Sequence, residues 1–148
     1  MSTNKHHKWK ARNLYRGLGI RVAIKGDIDE NGQQKHRPGI IIKSYPSHVM
    51  VQLLSRELSE HDYFSTFINH QKQYIRPIYF RTIKFDEILK VWKDDSGQII
   101  KLKKGSTFFT KIAEMQFNEI NWVQENQNLE KTENILKAKI ASKEYELE

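Results

Sequence analysis

Ile40, Ile41 and Ile42 form an unbroken β-branched run, and their flanks leave few conformations open. Upstream, Pro38 locks its own φ and pushes Arg37 towards an extended backbone. Downstream, Tyr45-Pro46-Ser47 is a turn, and residues 48–54 make a second apolar stretch. A short apolar run bounded by turn signals reads as a buried strand. The prediction is loop, strand, turn and strand between residues 32 and 56. The loop ends in Lys35, His36 and Arg37, and the second strand delivers Ser55 and Arg56 at its far end. Two buried strands would thus hold a cationic loop and a hydroxyl-plus-Arg pair in place.

The rest of the chain predicts further short elements. From 20 to 25, Ile20, Val22 and Ile24 alternate with Arg21, Ala23 and Lys25, the pattern of a half-buried strand. Residues 27–32 are a turn or loop, whose acids lack the spacing of an EF-hand calcium loop. Residues 57–73, polar and aromatic, are expected to form a long loop acting as a lid, or a short helix. Residues 76–85 read as a strand, and Asp94-Asp95-Ser96-Gly97 as the turn of a hairpin. From 107 the pattern turns helical. Ile112, Met115 and Ile120, with Phe117 and Val123 near them, form a face expected to pack on the sheet. Asn126-Gln127-Asn128 interrupts it, and Leu129, Leu136 and Ile140 leave only a narrow apolar stripe.

Charge bounds the partners. The 148 residues carry a formal net charge of +7, which points to polyanions. Residues 1–26 hold seven Lys or Arg and no acid, so the others balance at 18 basic against 18 acidic. Trp9 and Tyr15 lie among these cations, as in segments that stack on bases. From Glu119 onward, seven acids face four Lys. Without cysteine there are no disulfides or thiolate metal sites. The adjacent His6 and His7 lack further ligands and read as a solvated tail. No apolar run approaches a membrane span and no secretory h-region follows the N-terminus, so the expectation is a cytoplasmic protein off the membrane.

The order of these segments resembles the MazF/PemK (Kid-like) toxin family. The resemblance covers about residues 17–88. Its motifs are Ile24-Lys25-Gly26-Asp27-Ile28, the basic residue and Arg37-Pro38 before an apolar strand, the strand ending at Ser55, and Phe80-Arg81-Thr82-Ile83. The resemblance implies a mainly β fold, a small SH3-like barrel over 14–106. A basic, flexible segment over 1–13 precedes it and a helical extension over 107–148 follows. It implies cleavage of single-stranded RNA without metal or other cofactor, a homodimer, and neutralisation by an antitoxin protein. Two other readings share the barrel: a non-catalytic module binding nucleic acid or a protein, as in relatives that inhibit DNA gyrase, and a phage-resistance RNase held by an inhibitory RNA. The chain departs from the family where relatives carry an Asp two places after an Arg. Arg76 and Ile78 stand there, so that carboxylate is missing.

Metal-independent RNA cleavage needs a base for the 2′-hydroxyl, cations for the phosphorane and an acid for the 5′-oxygen. The candidates for catalysis are Arg37, Arg81 and Ser55. Those for holding RNA are Lys35, His36, Arg56, Arg76, Thr82, His61 and His70, the histidines also serving as titrating groups. Each has a plainer reading: Arg37 bracing its loop, Ser55 closing a strand-end turn, Arg81 pairing with Asp86 or Glu87.

Overall fold

In the computed structural model, residues 9–118 are described. The chain divides into two compact units, Met1–Lys111 and Ile112–Glu148. The first is mainly β. Its strands are β1 (Gly19–Val22), β2 (Arg37–Ser44), β3 (His48–Leu53), β4 (Phe64–Ile68), β5 (Gln71–Ile75), β6 (Phe80–Lys84) and β7 (Ile88–Val91). Five form an antiparallel sheet in the order β6-β3-β2-β1-β7, and β4 pairs with β5 separately. The mainly β class is as expected, and among the described residues no ladder joins β6 to β7.

β2 is the axis of this sheet. Ile40, Ile41 and Ile42 are all buried, so both faces of the strand are covered. Ile41 joins the main core with Ile20, Val22, Val49, Val51 and Ile83. Each such side chain contributes about 1.5–3 kcal/mol by leaving water. The pairing of β2 with β3 shifts between Ile41 and Lys43, and this bulge re-aims the end of the strand. Gly39 is required by packing. A Cβ there would lie 2.5 Å from Cγ1 of Val51 on the neighbouring strand.

Residues 57–73 differ from the expected lid or helix. After a loop they form β4, and β5 follows through Asn69 and His70. Both turn residues have positive φ, 54° and 62°, as a two-residue type I′ hairpin demands. The strand expected over 76–85 is shorter. A 3-10 turn at Pro77–Tyr79 precedes β6, and another at Phe85–Glu87 follows it.

The Asp94 turn forms as expected. Its carboxylate accepts hydrogen bonds from the Ser96 hydroxyl and from the backbone N–H groups of Ser96 and Gln98. These bonds, the Ser96 hydroxyl's first, hold its pKa below the ordinary value. Lys93 and Ile99 then pair through one bridge. A helix starts at 107 and runs to 118, where the described residues end. Ile112 and Met115 are buried, but Phe117 is exposed, so it leaves the expected apolar face. No helix among the described residues is long and apolar enough to cross a membrane. The expectations for Lys5, His6, His7, Lys8, Ile120, Val123, the 126–128 break and the last apolar stripe lie outside the described residues.

Candidate nucleic-acid interface

The loop between β1 and β2 folds back on itself. Ile28 bridges Gln34, and the Asp29 carboxylate accepts from the N–H groups of Asn31 and Gln33. The Lys35 N–H donates to the Asp27 carbonyl at 2.8 Å. The loop closure therefore carries Asp27 to the start of β2. There the Arg37 guanidinium meets the Asp27 carboxylate through two bonds, Nε to Oδ2 at 2.5 Å and an Nη to Oδ1 at 3.1 Å.

This fork changes both groups. The Arg37 hydrogen bond, aided by charge from Arg37, Lys35 and Arg81, holds the Asp27 carboxyl below its ordinary value against the effect of burial. The same bond raises the Arg37 pKa, with further support from Tyr79. Asp27 is thus an anion at neutral pH, and its charge orients Arg37.

Arg37 and Arg81 line one cleft of about 300 Å3, with Lys25, Asp27, Leu53 and Tyr79. Arg81 stands on β6 opposite Val51, which in turn pairs with Ile41 of β2. Its Nε donates to the Ile78 carbonyl at 3.1 Å, and the side chain is exposed. It is not paired with Asp86 or Glu87; Glu87 instead accepts from the Lys84 N–H. A second, wider groove of about 570 Å3 shares Arg37 and Tyr79 and adds Lys35, His36, Ser55 and Arg56. Arg76 also borders it. Tyr79 stands between two guanidiniums, with the Arg76 Cζ 4.9 Å and the Arg37 Cζ 5.5 Å from its ring centre. Cleft and groove together carry six Lys or Arg against three acids, an excess of positive charge.

The remaining expectations divide. The Ser55 hydroxyl accepts from the Glu57 N–H and donates to the Glu57 carbonyl, which is a strand-end turn. Arg76 binds Asp62 at 2.7 Å and the Glu57 carbonyl at 2.6 Å, tying the 57–62 loop to the sheet. Thr82 borders neither the cleft nor the groove; its hydroxyl donates to the Met50 sulfur. His61 and His70 border neither as well: His61 lies by Glu60, and His70 is at the tip of the β4–β5 hairpin. Of the histidines expected to titrate at the site, His36 alone borders the groove. Asp27, Asp62 and Tyr79 were not expected as site residues. Tertiary contacts bring them in; Asp27 alone lay in a motif of the resemblance, and there without a site role.

Among the described residues, no group of three or more His, Cys, Asp or Glu is placed to hold a metal ion. No protein-family model, curated protein or solved structure matches the chain.

Proposed function

We propose that the protein is a toxin-like endoribonuclease that cuts single-stranded RNA in the cytoplasm without a metal. One observation carries this reading: Arg37 and Arg81, 44 positions apart in sequence, border the same open cleft. A phosphate between them would be held by two guanidiniums whose geometry matches its oxygens. Arg37 is already oriented by Asp27, so it stabilises a phosphorane with little reorganisation. Both Asp27 carboxylate oxygens are committed to Arg37, so Asp27 positions, and His36, which borders the adjoining groove, takes the proton. In this scheme the 2′-oxygen attacks phosphorus and its proton passes to His36. The bond to the 5′-oxygen breaks and that oxygen takes a proton from solvent. The products are a 2′,3′-cyclic phosphate and a 5′-hydroxyl. The role proposed for Ser55 is to shape the groove, since its hydroxyl is committed to Glu57. An acidic antitoxin, or an inhibitory RNA, would occupy the same cations.

A second reading has its own support. Arg37 and Arg76 are both in ion pairs within the protein, which suits a surface that holds a strand without cutting it. The purified protein, incubated with mixed-sequence single-stranded RNA in EDTA, separates the two. The nuclease reading expects fragments ending in 2′,3′-cyclic phosphate, and their loss in His36→Gln. Binding without cleavage in any sequence context leaves the non-catalytic module.

A further inference from the structure

Gln73 is the one residue bordering the groove whose polar side chain is both fully buried and unsatisfied among the described residues. It is 1 % exposed, on the same side of β5 as the buried Ile75, and its Oε1 has no hydrogen-bond partner. Yet Gln73 borders the groove beside Ser55, Arg56, Arg76 and Tyr79. Gln52 is a useful contrast. It too is buried with an unpartnered Oε1, but its Nε2 donates to the carbonyls of Leu53 and Arg76, and it does not border the groove. Gln52 is thus tied to the backbone between β3 and β5. Among the described residues, the Gln73 amide makes no such bond to the backbone.

A buried acceptor left without a donor is destabilising, and a leucine of similar volume would avoid that cost. Its place beside a cationic groove suggests what offsets it. We infer that Gln73 reads a nucleobase: its Oε1 accepts a hydrogen bond from the exocyclic amine of a base inserted from the groove. Arg56 borders the same groove and suits an adjoining phosphate. Phosphate contacts fix the strand without reading sequence, and a base contact at Gln73 supplies the reading. The bases selected carry an amine: adenine, cytosine or guanine. Uracil carries none.

This inference rests on the RNA reading above, and its test keeps the two apart. Fluorescently labelled decamers of A, C and U, with 2′-O-methyl groups to block cleavage, are titrated against the full chain by anisotropy. The wild type should bind oligo-A or oligo-C about tenfold more tightly than oligo-U, the low end of what one base contact discriminates. In Gln73→Leu and Gln73→Met that ratio should fall to about one, while Tm stays level or rises because the unpaired acceptor is gone. The melting readout excludes a structural role. If both variants melt well below wild type or fail to fold, the amide is structural and the inference is overturned. If the wild type discriminates and both variants discriminate equally, base reading lies elsewhere and the inference falls while the RNA reading stands. If the wild type binds all three decamers alike, Gln73 reads no amine, and the inference again falls alone. If it binds none of them, the RNA reading falls and takes this inference with it.

Discussion

Two Arg–Asp pairs flank Tyr79, and they differ in what surrounds them. Arg76–Asp62 is the deeper, with side chains 11 % and 8 % exposed, against 22 % and 21 % for Arg37–Asp27. Asp62 also accepts from the Ser59 N–H at 2.7 Å, and Arg76 donates to Glu57, so that pair is wired into one loop. Asp27 instead feels further cations, Lys35 and, from the same open cleft, Arg81. Similar chemistry thus serves two ends. The enclosed pair fastens the 57–62 loop, and the open pair sets an arginine against solvent, where a phosphate can reach it.

The largest effect should come from the enclosed pair. Asp62→Ala leaves the Arg76 charge without its partner in a mostly buried place, which costs about 3 kcal/mol. Urea unfolding should show this as a lower midpoint with little change in m-value. A midpoint within error of wild type would abolish the distinction between the pairs.

Asp27→Asn should cost less, about 1 kcal/mol at neutral pH, because water already reaches this pair. Its pH dependence sharpens the comparison. The folded pKa of Asp27 lies below its ordinary 3.8. The stabilisation it brings is therefore in full force above that value and is lost as pH falls through the lower folded one. Wild type and Asp27→Asn should converge in stability under acid and separate as pH rises towards neutrality. A gap that stayed constant from acid to neutral pH would show that charge is not what Asp27 contributes.

The smallest stability effect belongs to Arg81→Ala, within about 0.5 kcal/mol, since the side chain is exposed and bound to one carbonyl. A larger loss in melting would mean that Arg81 braces the 3-10 turn at Pro77–Tyr79 instead of waiting for a ligand.

The sheet was largely legible in the sequence, and the site only in part. β2 and β3 announced themselves because the Ile run, Pro38 and the Tyr45-Pro46-Ser47 turn all agree locally. The Asp94 turn and the helix start at 107 were legible for the same reason. The β4–β5 hairpin was hidden because its type I′ turn uses Asn69 and His70 with no glycine to mark it. Arg37 and Arg81 were expected because the Arg37-Pro38 and Phe80-Arg81-Thr82-Ile83 segments resemble the toxin family. That the two border one cleft follows from the fold and from no local pattern in the sequence. Asp27 looked like one more turn acid, because what makes it a partner for Arg37 is the closure of the loop over Gln34 and Lys35.

The most direct test compares single-turnover RNA cleavage, in EDTA, by wild type, Arg37→Ala and Arg81→Ala, each shown to be folded by circular dichroism. Each lost cation should cost about 2–4 kcal/mol in the transition state, on the order of a hundredfold or more in rate. Arg37→Lys should recover only part of that, because an ammonium cannot reproduce the fork. Wild-type cleavage matched by both alanine variants would contradict the placement of the chemistry in the Arg37–Arg81 cleft.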